Sequence, residues 1–338
     1  MDQGTLGCVD DQDLGAWVTF SYGKFSQQYK WRQPYVGVEL SDIIPAGYTT
    51  PTGQARTVQE GAKETYYLNS IHTRSHTALF LKSPRRDGRG SYGNNPSNLG
   101  IDESTPSSSL RLDEVIVLSN QDLASIQTAT GFGVNASNNA NTNDNSLGGM
   151  DTYAAVLDQF DVAANSATRQ MLNQKALKRV VFNYSYRLCP GTPNSFASAT
   201  APPTLGTSYD ATGRLGKLTL ESIATYGANN VKLIPDFRFD YGFNPAYDPA
   251  KVDAFGMYSS TGQLRPAADF ATASQDGAAW SLNKITNPLG AITTIAYERD
   301  QYASVSEFYN GSYSMVDQGQ FTSQMTSNGC LWEITRLI

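Results

Sequence analysis

A turn followed at once by alternating apolar and polar residues constrains the fold most, and this pattern is clearest over residues 209–223. Asp210 and Gly213 form the turn, because Asp hydrogen-bonds the backbone two residues on and Gly adopts positive φ without steric cost. The apolar positions that follow are Leu218, Leu220 and Ile223, separated by polar residues. Such alternation after a turn predicts a half-buried β-strand.

Similar alternation predicts strands along most of the chain. They are expected over residues 14–22, 65–73, 75–81, 110–118, 177–186, 231–242 and 280–297, with turns near residues 73–75 and at Asn287-Pro288-Leu289-Gly290. In the first of these strands Val18, Phe20 and Tyr22 face the opposite way from Trp17 and its polar neighbours. Pro288 and Gly290 are typical residues of a hairpin turn.

After residue 118 the pattern changes from strand-like alternation to helical spacing. Residues 121–130 and 151–177 have helical spacing, and an Asn-rich loop joins them. Asn143, Asp144 and Asn145 offer oxygen atoms to a hard cation, but the order of ligands in an EF-hand is missing, which favours a plain loop. Residues 83–109 are polar and rich in Gly, and are expected to form a long surface loop.

Composition excludes several classes of partner. Only 17% of the 338 residues are charged and the formal net charge is −6, which argues against nucleic acid and against anionic membranes. There is no apolar run long enough for a transmembrane helix, and the first residues do not resemble a signal peptide. We therefore expect a piece of a longer protein. Cys8, Cys189 and Cys330 show no metal-binding spacing, and both one long-range disulfide and three free thiols are compatible with their positions.

Four short segments share one pattern of Leu, two polar residues and a β-branched apolar residue. They are residues 67–71, 111–115, 219–223 and 281–285. A returning strand follows the first, third and fourth, at residues 78–81, 237–241 and 292–297. The pattern predicts a repeated hairpin with insertions, in which each hairpin buries an apolar face beside the next.

Residues 209–215, Tyr-Asp-Ala-Thr-Gly-Arg-Leu, resemble the repeat of Rhs/YD-repeat proteins, whose units run Tyr-Asp-x-x-Gly-Arg-Leu before a strand. Here Tyr209 and Asp210 occupy the positions of the dipeptide. Residues 286–298 are similar to another form of the unit, with Asn287 and Glu298 in place of its two Asp residues. The resemblance covers about residues 209–300. It implies a continuous β-sheet that forms a shell around a toxin or other cargo, and it makes this chain a part of the scaffold.

Candidate sites for chemistry are few. His72 and His76 would lie roughly 13 Å apart on one strand, too far to share a metal, and no GxSxG motif accompanies them. An aromatic and acidic patch offers platforms for sugars and carboxylates for glycan chemistry. Its candidate residues are Trp31, Tyr35, Asp240, Tyr247, Asp248 and Trp280. The alternatives are an edge strand over residues 29–35 whose aromatic side chains pack inward, and acids that cap turns.

We therefore expect a mainly β fold, in which antiparallel hairpin repeats form an extended curved sheet with a helical insertion around residues 121–177. The predicted regions are a β-rich part with long loops (1–120), the Asn-rich helical insertion (121–177), a YD-like hairpin region (178–310) and a C-terminal tail (311–338). The expected function is that of a secreted or cell-surface structural scaffold without catalytic residues, cofactor or metal. Its expected partners are other segments of a longer chain or surface proteins. The alternative is a carbohydrate-binding or glycan-acting domain that uses the acids of residues 236–253.

Overall fold

The computed structural model describes residues 16–33, 59–93, 100–102, 108–132, 166–192, 195, 215–248, 251, 257–261, 270–297, 304–309, 312–317 and 332–336. The strands in these ranges are β1 (Val18–Gln33), β2 (Gln59–Thr73), β3 (His76–Arg89), β4 (Ser91–Tyr92), β5 (Gly100–Ile101), β6 (Ser108–Ser119), β7 (Lys178–Leu188), β8 (Lys217–Tyr226), β9 (Lys232–Tyr241), β10 (Leu282–Thr286), β11 (Ile292–Tyr297), β12 (Ser304–Tyr309), β13 (Ser312–Asp317) and β14 (Trp332–Arg336). The helices are α1 (Asn120–Thr130), α2 (Ala167–Lys175), α3 (Phe270–Gly277) and a 3-10 turn at Ala228–Asn230.

One ten-stranded sheet dominates the described part of the chain. Its strand order is β1-β2-β3-β6-β7-β8-β9-β10-β11-β14, and the sheet is antiparallel and not closed. Two further pairs, β4 with β5 and β12 with β13, form small separate sheets. The expectation of a mainly β fold built from antiparallel hairpins is thus confirmed, and the four repeated segments lie in β2, β6, β8 and β10.

The two best-defined hairpins follow from local turn chemistry. β2 and β3 are joined across residues 74–75, with His72 opposite Thr77. Between β10 and β11 the side-chain oxygen of Asn287 accepts hydrogen bonds from the backbone N–H of Leu289 and Ala291, both at 2.9 Å. Gly290 in this turn has φ of 86°, a conformation that L-residues rarely adopt. The predicted turn at residues 287–290 is therefore confirmed.

The described residues divide into two compact units. The first consists of Met1–Arg32, Glu60–Ser185 and Leu220–Phe237; the second consists of Gln33–Gln59, Tyr186–Thr219 and Arg238–Ile338. The core of the first unit lies between the sheet and the two helices that follow β6. Its buried apolar side chains are Leu79, Leu81, Ile116 and Leu118 from the sheet, with Leu123, Ile126, Phe132, Leu172 and Ala176 from α1, α2 and the residues that follow them.

Both helices of the predicted insertion begin at a serine cap. The hydroxyl of Ser119 accepts a hydrogen bond from the backbone N–H of Asp122 at 3.1 Å, and that of Ser166 accepts one from Arg169 at 3.0 Å. Ser119 also donates to the Asp122 carboxylate at 2.6 Å, and Lys175 of α2 donates to it at 3.0 Å. These hydrogen bonds lower the pKa of Asp122 and tie the two helices together.

A buried ion network fastens α2 to the sheet. Glu114 of β6 accepts a hydrogen bond from Arg179 of β7 at 2.5 Å and one from Arg169 of α2 at 2.7 Å. Arg179 also donates to the side chain of Asn230 at 2.7 Å and lies over the ring of Tyr226 at 5.7 Å. The Glu114 side chain is only 3% exposed, and the two charges beside it offset the cost of its desolvation.

The expected long loop over residues 83–109 is wrong at its beginning. Residues 83–89 continue β3, and Ser83 and Asp87 are buried. Their polar groups are satisfied by partners, since Arg111 donates to Ser83 at 3.0 Å and Arg85 forms an ion pair with Asp87 at 2.7 Å. Polar residues at these positions therefore belong to the sheet, although their composition is typical of loops.

The remaining expectations have mixed outcomes. The C-terminal tail contributes β14, which pairs with β11 within the main sheet, and no strand was expected there. Tyr209, Asp210 and Gly213 lie outside the described residues, as do Asn143, Asp144 and Asn145, whereas the strand predicted after the YD-like turn is present as β8.

Candidate functional site

The structure assigns the predicted patch residues to both units. Trp31 lies on β1 in the first unit, whereas Asp240, Tyr247, Asp248 and Trp280 belong to the second. Tyr35 lies outside the described residues. Of the candidate residues, only Asp240, Tyr247, Asp248 and Trp280 belong to the same unit as the segment that follows β9.

That segment, residues 242–248, is held by hydrogen bonds to two other parts of the second unit. The side chain of Asn244 accepts from the backbone N–H of Cys189 and donates to the carbonyl of Arg187, both at 2.9 Å. The backbone N–H of Tyr247 donates to the carbonyl of Pro190 at 2.8 Å. Segment 242–248 is thereby fixed to the turn that follows β7, although it has no regular secondary structure of its own.

Trp280 anchors the other side of this segment. Its backbone N–H donates to the carbonyl of Phe243, and its indole N–H donates to the carbonyl of Pro245, both at 2.8 Å. The ring of Tyr258 packs edge-on against Trp280 at 5.1 Å and against Phe243 at 6.0 Å. We call Phe243, Tyr258 and Trp280 the aromatic cluster. The indole serves here as a structural anchor, since its polar atom is already bonded to the backbone.

Two residues beside segment 242–248 have left-handed backbone conformations. Trp280 has φ of 60° and Cys189 has φ of 49°, which cost energy in residues with a side chain. The hydrogen bonds from segment 242–248 hold both of them in place. Sequence patterns give no signal for either conformation, because Gly and Asn are the residues expected there.

Two titratable groups at or near the aromatic cluster have raised pKa values. Burial raises the pKa of the Cys189 thiol, which opposes formation of the reactive thiolate. Burial also raises the pKa of Tyr258, and the nearby carboxylates of Asp276 and Asp248 add to this effect. Asp276 accepts hydrogen bonds from the backbone N–H and the hydroxyl of Ser260, at 2.8 and 2.9 Å. These hydrogen bonds tie Ser260 to α3.

Asp240 lies apart from the aromatic cluster, in the ladder between β9 and β10. It is directly opposite Lys284, and the two side chains form an ion pair at 3.0 Å. Its side chain is 53% exposed, so the pair is a surface contact of small energetic value.

The two histidines lie on either side of the hairpin between β2 and β3. His72 contacts the Thr77 hydroxyl through Nδ1 at 2.6 Å, and His76 contacts the Ser75 hydroxyl through Nδ1 at 2.8 Å. The ring of His72 also packs against Trp17 at 5.3 Å. Within the described ranges no group of three His, Cys, Asp or Glu side chains is placed to hold a metal ion.

Sequence reasoning did not identify one prominent surface feature, which is a set of large apolar side chains exposed on strands of the main sheet. They include Val18, Phe20 and Tyr22 on β1, Leu233, Ile234 and Phe237 on β9, and Ile292 on β11. Alternation was visible in the sequence, but it does not say which face of a strand is buried. Contiguous patches of exposed apolar groups are typical of interaction surfaces, whereas single exposed apolar residues are normal.

No helix within the described ranges is long and apolar enough to cross a membrane. Comparisons of the chain with protein-family models, with curated proteins and with solved structures found no match.

Proposed function

We propose that this chain is a structural and interaction segment of a secreted, Rhs/YD-repeat-like scaffold on a bacterial surface. Its role is to present an extended antiparallel sheet to other segments of a longer chain or to other surface proteins. The observation that carries the proposal is the exposure of large apolar side chains within strands β1, β9 and β11.

Two further features support this role. Neighbours in the main sheet are for the most part neighbours in sequence, as expected of a chain that extends a scaffold by one hairpin after another. The most constrained loops, around the aromatic cluster, use their polar groups for hydrogen bonds to the backbone. Cys189 and Trp280 are thereby assigned to architecture.

Detection of the native gene product tests the proposal. Antibodies raised against this chain are expected to recognise, in the surface and secreted fractions of the source cells, a polypeptide larger than 338 residues. A product that is found only in the cytoplasm, and is no larger than this chain, would contradict the scaffold role. A cytoplasmic marker protein controls for cell lysis.

Trp31 supports carbohydrate binding as a second candidate function. It lies on β1 with 37% of its surface exposed, and one part of its ring packs closely over Gly61 of β2, where an added Cβ would lie 3.1 Å from the indole. A flat aromatic ring supported from below suits stacking on the apolar face of a sugar.

A glycan array separates the two candidates. Saturable binding that is lost in Trp31→Ala and kept in Tyr92→Ala, another exposed aromatic residue of the first unit, would establish the carbohydrate function and contradict a purely structural role. Absence of binding by the unmodified chain removes this second candidate.

A further inference from the structure

Within the part of the chain that the structure describes, the first strand of the main sheet has an open edge that lacks the usual protection against pairing. β1 is the outermost strand in the described part of the sheet. Natural edge strands avoid pairing with other chains by means of charges, Pro or bulges. Residues 18–22, Val-Thr-Phe-Ser-Tyr, have no charge and no Pro, and consist mainly of residue types that favour strands.

The side chains of this stretch are arranged in the same unprotected way. Val18, Phe20 and Tyr22 lie on one face and are 54%, 54% and 48% exposed, whereas Thr19 and Ser21 on the other face are half-buried. Three large apolar groups therefore form a continuous exposed row beside the open edge. We call residues 18–22 the edge stretch.

The exposed part of β9 differs from the edge stretch. Leu233 and Ile234 are also exposed, but Pro235 follows them and removes a backbone donor. Lys232 and Asp236 form an ion pair at 2.9 Å across the same residues. β9 also lies between β8 and β10 in the sheet, so its exposed apolar side chains are not beside an edge, whereas the edge stretch belongs to the outermost described strand.

We infer that the edge stretch is a self-association surface, at which the β1 strand of a second copy adds antiparallel to β1 about a two-fold axis through Phe20. The occupant follows from the pattern, because apolar–polar–apolar–polar–apolar reads the same in both directions. Phe20 then lies opposite Phe20 of the other copy, and Val18 lies opposite Tyr22. No charged residue lies within the edge stretch, so like charges do not meet there.

The exposed area sets the strength of this dimer. Two half-exposed aromatic rings and a valine supply roughly 250 Å² of apolar surface per copy, if a ring has about 200 Å² to bury. The pair thus buries at most roughly 500 Å² of apolar surface, which is small beside the total of about 1,200–2,000 Å² buried in stable complexes. We expect a reversible dimer with a dissociation constant of roughly micromolar or weaker.

Sedimentation velocity over a range of protein concentrations tests the interface. It compares the unmodified chain with variants that carry a charge at Phe20, the centre of the interface. Phe20→Lys places two ammonium groups opposite each other and is expected to weaken dimerisation at least tenfold. Leu233→Lys, an equally exposed position on β9, is the matched control and should dimerise as the unmodified chain does. Circular dichroism of each variant checks the fold, which exposed positions should leave intact.

A mixture of Phe20→Lys with Phe20→Glu tests the two-fold register directly. Each variant alone should be monomeric, and the mixture should recover a heterodimer because opposite charges then meet across the axis. A chain that stays monomeric up to about millimolar concentration, a dimer that survives Phe20→Lys, or a mixture that stays monomeric would overturn the inference. A photo-crosslinker at position 22 that captures a different polypeptide in source cells would also overturn it. None of these outcomes bears on the size and location of the native gene product, by which the scaffold role is judged.

Discussion

Replacing Glu114 by Gln removes the one negative charge that two arginines share inside the first unit. The side chains of Glu114, Arg179 and Arg169 are 3%, 6% and 16% exposed. Gln keeps the size of the side chain but only one acceptor oxygen, so the change removes the charge and one of the two hydrogen bonds from the arginines. Both guanidinium groups remain positive, since arginine does not lose its proton in proteins.

The cost follows from the burial of the partner that remains. Breaking a buried ion pair by removing one member costs about 3–5 kcal/mol, because the other charge is left without compensation. Arg169→Met should cost less, about 1–2 kcal/mol. Glu114 then retains its ion pair with Arg179 at 2.5 Å, and the Arg169 side chain that is removed is partly exposed. The specific expectation is that Glu114→Gln lowers the free energy of unfolding more than Arg169→Met does.

These free energies are measured by urea unfolding, with hydrogen exchange of peptides from β6 and α2 as the readout. Because these peptides belong to the first unit, the readout does not report unfolding of the second unit. Lys232→Gln is the matched control in the same unit, because the pair of the exposed Lys232 with Asp236 should contribute less than about 0.5 kcal/mol. A cost below about 1 kcal/mol for Glu114→Gln, or a larger cost for Arg169→Met, would refute the argument that burial makes this network sensitive.

Three further predictions concern the helix cap, the thiol and a close approach of two strands. The lowered pKa of Asp122 contributes stability that is present above the unfolded-state pKa of about 3.9 and is lost as pH falls through the folded value; Asp122→Asn should abolish this part of the acid dependence of urea midpoints. Cys189 should resist iodoacetamide at pH 8 until the protein is denatured, as judged by peptide mass spectrometry, and rapid native labelling would contradict its burial. Gly216→Ala would place a Cβ 1.9 Å from a carbonyl oxygen of β7 and should cost about 3 kcal/mol in thermal unfolding, whereas Gly277→Ala, with nothing within 4 Å, should be neutral or stabilising.

Features that depend on a few neighbouring residues were predictable from the sequence. The turn at Asn287 and Gly290 needs an Asx side chain and a residue with positive φ, and the two lie only three positions apart in the chain. The alternation of β6 and the helical spacing near residue 121 likewise identify their elements, because strand and helix periods differ.

Features that depend on distant partners were not predictable. Ser83 is buried because Arg111, 28 residues away, satisfies its hydroxyl, and nothing near Ser83 indicates this. Trp280 resembles a sugar platform in sequence, but its indole N–H is bonded to Pro245, 35 residues away. Phe20 shows the same limit, since alternation defines two faces of a strand without saying which one is covered.

The order of strands in the main sheet has a consequence for how this chain tolerates change in length. β4 and β5 lie between β3 and β6, and α1 and α2 lie between β6 and β7, yet β3, β6 and β7 remain neighbours in the sheet. Extra segments are thus accommodated at the ends of strands without breaking the hydrogen-bonded ladder. Whole domains can therefore be inserted at these connections, because the free-energy cost of closing a loop rises only slowly with loop length.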